Sequence, residues 1–255
     1  MAANAKPTIL AESRLLDGTP EATDTASGYD VLNIRDYRPY TFWVAASSGT
    51  KYITVDCGAA AAADALAVIG HNLYTADATV SVESSGNGSD WTERLTGFTP
   101  SSDEAFLKAF TSVSARYWRI KIVTAATAAE IAVAMIGSRL TFERYPRNNF
   151  DPAPEKVAAE TARSKTGQLL GAVLKYVSLD VTVSFQRLTP SWVSDTFKPV
   201  WDDYLSQLLP FFWAWDITNH ADEVYFAAID AGFALKTPYD ANRRSMTLRF
   251  TGIKE

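Results

Sequence analysis

The chain has almost none of the residues that build covalent cross-links or metal clusters. Cys57 is the single cysteine among 255 residues, and His71 and His220 are the two histidines. A disulfide within the chain and a zinc site built from several thiolates are therefore excluded. No HExxH, GxSxG, P-loop or dinucleotide-binding glycine pattern occurs. We therefore expect no catalytic residue, no metal centre and no cofactor, and we interpret the protein as a non-enzyme.

Excess positive charge and long apolar runs are also lacking. Lys and Arg total 24 against 29 Asp and Glu, for a net charge of −5, so we expect no nucleic-acid partner. The longest apolar run, 208–215, is interrupted by Pro210 and is far shorter than the ~20 residues that cross a bilayer. The first six residues include no apolar stretch of the signal-peptide kind. We expect synthesis in the cytoplasm and no membrane insertion.

A few polar groups are of the types that form catalytic or metal sites. Cys57 and His71 are the residue types of a thiol–imidazole pair, but nothing else in the sequence completes a triad. The adjacent carboxylates 202–203 and 222–223 point in different directions on a regular element, which favours solvated surface over an acid–base pair. Asp24, Asp30 and Asp36 supply oxygen ligands for calcium, but their spacing is not that of an EF-hand.

Alternating apolar and polar residues dominate the first part of the chain. The segments that we interpret as strands are 51–56, 78–83, 117–123, 131–136 and 139–144. Strands at this spacing, without amphipathic helices between them, indicate a β-sandwich or barrel. The alanine-rich run 59–65 favours a short helical turn, on propensity alone.

Three prolines between Pro146 and Pro154 mark a boundary, because proline lacks the amide donor that a helix or ladder needs. We therefore predict a domain over 1–145, a linker or an arm lying on a neighbour over 146–156, and a β-rich domain over 157–255.

The third segment again reads as strands, with one helix. Residues 157–165 and 168–175 flank Thr166-Gly167 and predict a hairpin, and 178–185 alternates strictly. Apolar residues recur at helical spacing between 191 and 209, where Pro199 marks a kink or the true first turn. Strands over 211–217, 223–229 and 245–250 close the chain. The fold class is thus mainly β, with a sandwich followed by a β-rich domain that carries one packed helix.

The aromatic cluster near residue 212 has three interpretations. Phe211, Phe212, Trp213 and Trp215 fill a core, form an interface between subunits or provide a platform for sugar stacking. The first two are favoured because aromatic residues dominate both settings. We name these four as candidates for an oligomer interface.

The first domain resembles the discoidin, or galactose-binding-like, jelly roll. The resemblance is carried by Thr41-Phe42-Trp43, Tyr52 to Gly58, Ser84 to Trp91 and Ala115 to Ile120. Domains of this family bind glycans, lipids or proteins through loops at one end of the sandwich. The resemblance therefore implies a ligand-binding role for loop residues, and we name His71, Asn72 and Tyr74 as candidates.

The second domain is similar to distal tail and baseplate proteins of long-tailed bacteriophages. The similarity rests on residues 161–171, 178–187, 208–216 and 243–252. It implies a structural protein of the virion, made in the host cytoplasm, that forms a homo-oligomeric ring of six subunits and contacts other tail proteins. The first domain would then face outward toward a host-surface glycan. The alternatives are a carbohydrate-binding, lectin-like adhesin and, with no carboxylate pair to nominate, a glycoside hydrolase.

Overall fold

The structure is a computed structural model that describes residues 5–147, 150–240 and 242–253. The first strands in chain order are β1 (Thr8–Leu10), β2 (Glu21–Ala22), β3 (Trp43–Val44), β4 (Gly49–His71), β5 (Thr79–Ser85), β6 (Thr92–Phe98), β7 (Phe106–Thr124) and β8 (Glu130–Gly137). They are followed by β9 (Leu140–Thr141), β10 (Glu155–Arg163), β11 (Leu169–Leu188), β12 (Phe211–Ala214), β13 (Val224–Ile229), β14 (Tyr239–Asp240) and β15 (Arg243–Ile253). The predicted mainly-β class is confirmed.

A seven-stranded sheet folds over on itself to make the sandwich of the first part. Its order is β3-β8-β4-β7-β5-β6, with β2 added beside β4. The long strand β4 bends where its register shifts between Asp56 and Ala61, and Gly58 there has φ of +72°. The two halves of the bent sheet enclose a core that includes Trp43, Ile53, Val55, Leu66, Val68, Trp118, Ile120 and Ile131.

The helical turn expected over residues 59–65 is wrong, since this run lies inside β4. The run is exposed at residues 59 and 60, and only from residue 65 onward is β4 buried on both faces. Leu66 and Val68 face the sandwich core, whereas Ala65, Ala67 and Ile69 face the other sheet. Residues 61–63 and 65 pair with β7, and this pairing outweighs the helical propensity of alanine.

The second sheet follows the order β10-β11-β15-β13-β12-β1-β9, with β14 beside β15. One face packs on the first sheet through Leu10, Phe212, Ala214, Val224 and Phe226. The other face packs under the predicted helical segment. That segment consists of a π-helical turn (Trp192–Phe197), the helix α1 (Lys198–Asp203) and a 3-10 turn (Leu205–Gln207). Pro199 lies in the first turn of α1, where its missing amide costs little.

Two short segments of the predicted first domain belong to the second sheet. Strand β1 pairs with β12, placing Thr8 opposite Ala214, and also with β9. Just beyond β9, the ring of Phe142 stacks on Phe185 with centroids 4.1 Å apart. The division of the chain at residue 145 stays a prediction, and the two sheets interlock across it.

The proline-rich segment lies along its own second sheet. The amide of Arg147 donates to the Ser184 carbonyl at 2.8 Å, and the Asp180 amide donates to the Pro154 carbonyl at 3.1 Å. Residues 148 and 149 of the predicted linker lie outside the described residues. The segment leads directly into β10, which begins at Glu155.

The aromatic cluster fills the cores of a single chain. Phe211 and Trp213 face the core under the helical segment, Phe212 faces the layer between the sheets, and none of the three has exposed surface. Their predicted role in an oligomer interface is corrected by this burial, because a second subunit cannot reach them without unfolding the strand. Trp215 is half-buried and packs at the margin of the same core.

The predicted hairpin is present as β10 and β11, joined by a turn in which Gly167 has φ of +86°. Its outer part is exposed on both faces. The large apolar side chains that it leaves exposed are those of Val157, Leu169, Leu170, Val173, Leu174, Tyr176 and Val177. We call residues 155–177 the hairpin arm.

Candidate functional site

The three predicted ligand-binding residues lie at the end of β4 and in the turn that follows it. His71 is the last residue of β4, directly before the turn, and its side chain has no exposed surface. Nδ1 of the ring accepts a hydrogen bond from the Leu73 amide at 3.2 Å, so Nε2 carries the proton and donates to the Glu104 carbonyl at 3.0 Å. Burial lowers the pKa of His71 and outweighs the nearby Asp103 carboxylate and the Glu104 carbonyl. His71 is therefore a neutral ring that holds two loops together.

Asp103 joins the same two loops from the outside. Its carboxylate accepts hydrogen bonds from the amides of Tyr74 and Thr75, at 2.9 and 3.2 Å, and from the Thr75 hydroxyl at 2.5 Å. Partial burial raises the pKa of this carboxyl, but the three hydrogen bonds outweigh that effect and the net pKa is lowered. The contacts of the Asp103 carboxylate therefore hold the turn rigid, and no local sequence pattern predicts them.

Asn72 and Tyr74 differ in what they leave free for a ligand. The Asn72 amide nitrogen donates to the Ala128 carbonyl at 2.9 Å, and its oxygen accepts from the Glu130 amide at 2.8 Å. The side chain of Asn72 is thus engaged in anchoring β8. Tyr74 is 53% exposed. The three predicted residues therefore lie together, and Tyr74 presents most of the surface that a ligand can reach.

A second exposed tyrosine lies on the loop between residues 36 and 42. Tyr40 is 72% exposed. Its loop packs against Gly70, where a Cβ atom would lie 3.3 Å from the Pro39 carbonyl oxygen and 2.7 Å from the Cβ of Ala132. Gly70 also has φ of +65°, a conformation that glycine adopts without strain. This glycine allows the loop to approach β4 beside the Tyr74 turn.

A polar cleft lies beside the loop that holds Asp103. It consists of two adjoining pockets of about 710 and 390 Å³, and both are lined by Glu104 and Asp222. The larger pocket falls within the ~300–1,000 Å³ that is typical of ligand sites. Its other polar or aromatic lining residues are Glu155, Tyr176, Ser178, Glu223 and Tyr225. The smaller one adds Ser101, Ser102, Lys108, Thr218 and Asn219.

The cleft is acidic, and its acids come from separate parts of the chain. Burial, followed by the charges of Glu223, Asp222 and Glu104, raises the pKa of Tyr225 to about 12. On the same loop, Trp215 donates from Nε1 to the Glu223 carboxylate, and His220 packs against Trp215 with ring centroids 4.4 Å apart and ring planes tilted by 34°. The carboxylates 222–223, interpreted from sequence as solvated surface, therefore line a concave site. The sequence shows no signal for their proximity to Glu104, which is more than a hundred residues away.

The remaining candidate groups, Cys57 and the aspartates 24, 30 and 36, lie in local environments that account for them. Burial raises the pKa of Cys57 to about 11, which opposes formation of a reactive thiolate. Asp24 pairs with Lys51, the Asp30 carboxylate caps the Leu32 amide, and the Asp36 carboxylate binds Thr41. Among the residues that the structure describes, no group of three or more His, Cys, Asp or Glu side chains is arranged to hold a metal ion. Nor does that part of the chain contain a helix of sufficient length and apolarity to span a membrane.

Of three comparisons with known proteins, the one with solved structures finds a similarity. No family profile matches the sequence, and no curated protein matches it. Among solved structures, the chain is similar to chitosan-binding module 1 of a chitosanase/glucanase from Paenibacillus sp. IK-5, with 17% identity and a TM-score of 0.43 over 49% of this chain and 98% of the module. It is also similar to CBM32 of AlyQ in complex with 4,5-unsaturated mannuronic acid, with 25% identity and a TM-score of 0.40 over 49% and 95%. A further match is CpGH89CBM32-5 from Clostridium perfringens in complex with GalNAc-β-1,3-galactose, with 14% identity and a TM-score of 0.43 over 50% and 99%.

Proposed function

We propose that this chain is a non-catalytic glycan-binding protein whose ligand lies at the Tyr74 turn and the adjoining acidic cleft. The observation that carries the proposal is an exposed tyrosine ring on a turn held rigid by His71 and Asp103, next to a concave surface rich in hydrogen-bonding groups. Aromatic rings stack on the apolar faces of sugars, and carboxylates and amides bond their hydroxyls. Loss of side-chain freedom on binding is small because the turn is already ordered.

The charge of the cleft indicates which glycans fit. Glu104, Glu155, Asp222 and Glu223 line it, with Lys108 at the margin of the smaller pocket. An acidic concave surface repels uronic or sulfated sugars and attracts amino sugars. We therefore propose neutral or amino-sugar oligosaccharides as the ligand class.

Calorimetric titration of the full chain with matched neutral, amino and uronic oligosaccharides tests this proposal. We expect binding to the first two classes, and a roughly tenfold loss of affinity for the Tyr74→Ala variant, since one ring contact contributes up to about 1.5 kcal/mol. Tyr239→Ala is the control, because Tyr239 is 64% exposed in the second sheet. Absence of binding to every class, or equal affinity in both variants, would contradict the proposal.

A second candidate function, a structural component of a bacteriophage tail tip, is favoured by the hairpin arm. The arm exposes seven large apolar side chains, and a cluster of this kind is typical of surfaces that contact other proteins. In this proposal the arm meets tail proteins or other copies of the chain, and the sandwich is displayed outward in the virion. Negative-stain microscopy of the full chain distinguishes this candidate, because it predicts closed rings of six subunits, whereas a glycan-binding module needs none.

A further inference from the structure

Strand β10 lies at the end of the second sheet, and among the described residues no strand pairs with its outer side. All of its residues are exposed except Ala158, which is half-buried. An edge strand of nine residues, about 30 Å long, presents a row of backbone donors and acceptors that a second strand can pair with.

The direction of each backbone group along β10 follows from the hydrogen bonds at its two ends. The Pro154 carbonyl accepts from the Asp180 amide at 3.1 Å, and the Ser164 amide donates to the Gln168 carbonyl at 2.8 Å. Pro154 and Ser164 are both even-numbered, and these backbone groups point toward β11. Each of the two bulges in the pairing places its extra residue on β11, so the alternation along β10 is not interrupted. Because alternate residues of an antiparallel strand bond to opposite sides, the odd-numbered residues of β10 direct their amides and carbonyls outward.

We propose that β10 pairs antiparallel with the β10 strand of a second copy of this chain, about a two-fold axis at Ala159. In this register Ala159 faces Ala159 of the second copy, Val157 faces Thr161, and Glu155 faces Arg163. All five outward-facing residues of each strand take part, giving about ten backbone hydrogen bonds between the copies. A shift of two residues in either direction removes outward residues from the pairing and separates Glu155 from Arg163.

Charge complementarity selects this arrangement. The charged residues of β10 are Glu155, Lys156, Glu160 and Arg163. Antiparallel pairing about Ala159 places Glu155 of each copy opposite Arg163 of the other, which gives two such contacts by symmetry. It also places Lys156 diagonally across from Glu160 of the second copy. Parallel pairing in register would bring like charges together. The interface is thus isologous, the type that closes as a dimer.

The pairing rests on the strand edge and leaves the apolar faces of the arm uncovered. Neither the proposed glycan site nor the tail-tip candidate is needed for two edges to meet, although Glu155 also lines the larger pocket of the cleft. A heterologous ring of six subunits uses different surfaces on each side of a subunit, so the two modes of association give different masses.

Light scattering of the full chain across the micromolar range tests the inference. We expect a concentration-dependent rise from 27.9 kDa toward twice that mass. Ala159→Pro removes an outward amide that pairs with no described strand of its own chain, and it should leave the mass at that of one chain while circular dichroism stays unchanged. A mass of one chain for the unaltered protein at every concentration, or a larger assembly insensitive to Ala159→Pro, would overturn the proposal.

Charge reversal provides the sharper test. Glu155→Lys and Arg163→Glu should each raise the dimer dissociation constant about tenfold, because each sets two like-charge contacts in place of two attractive ones. The double variant should return it to within about threefold of the original. This rescue separates the intermolecular pairing from the bond that Arg163 makes to the Gly167 carbonyl within its own chain. Lys165→Glu is the control for net charge, since Lys165 lies in the turn beyond the strand; failure of the double variant to restore association would contradict the register.

Discussion

The buried ring of His71 donates from Nε2 to the backbone carbonyl of Glu104 at 3.0 Å. This bond joins the end of the longest strand of the sandwich to the loop that lines the acidic cleft. It brings Tyr74 and the cleft into one region of the surface, although the sequence separates their residues widely. The geometry of the proposed glycan site therefore depends on a histidine that itself has no exposed side-chain surface.

Stability should fall at mildly acidic pH because of His71. Its pKa in the folded chain lies below the unfolded value of about 6.5, so the unfolded chain binds the proton first as pH falls. The stability that the neutral ring provides is complete above about pH 6.5 and is lost as pH falls toward the folded pKa. Urea denaturation of the original chain and of His71→Gln at several pH values checks this.

The His71→Gln variant should be about 1–2 kcal/mol less stable at neutral pH, since it leaves buried backbone partners poorly satisfied. The difference between the two proteins should narrow as the pH falls from 7 to 5. A constant difference over that range would show that His71 does not titrate on unfolding.

Gly70→Ala should destabilise the chain strongly. The added methyl would lie 2.7 Å from the Ala132 Cβ, at a residue with φ of +65°. Strain at a positive φ and overpacking each cost about 1–3 kcal/mol. Gly86→Ala is the matched control, because a Cβ there meets no atom within 4 Å and its φ is not positive. Thermal melting should separate the two variants by several degrees, and equal melting temperatures would refute the predicted close approach.

Phe142→Ala tests whether the end of the predicted first domain belongs to the second core. Phe142 is fully buried and stacks on Phe185 at 4.1 Å with planes 7° apart. Truncation should cost about 3–5 kcal/mol, and Phe142→Leu should cost much less because most of the volume is retained. Chemical denaturation measures both. A small effect of the alanine substitution would mean that residues 140–142 are not anchored in that core.

Local pattern was enough to predict much of the secondary structure, because a strand with one buried face reveals itself by alternation. The segments around Ile53, Val80, Ile120 and Val181 lie in strands as predicted, and the hairpin turn lies at Gly167. The alanine-rich run 59–65 shows no alternation, because alanine occupies both exposed positions, such as 59 and 60, and buried ones, such as 63 and 65. Strand β1 was missed for a related reason, since three buried residues are too few to show a period.

The candidate site was predictable in part. Tyr74 was named from the sequence through a resemblance to a family whose loops bind ligands. Glu104 and Asp222 could not be placed together, because they lie on loops of different sheets and meet only where those sheets pack.

The sequence by itself determined the β class, the scarcity of reactive groups and the positions of most strands, because side-chain alternation and residue type are local properties. The tertiary structure alone decided which sheet each strand joins, that Phe211, Phe212 and Trp213 are buried within one chain, and that β10 remains an open edge. These outcomes depend on contacts between residues far apart in the chain. Such contacts are set by how two sheets share their apolar faces, and no local pattern encodes that choice.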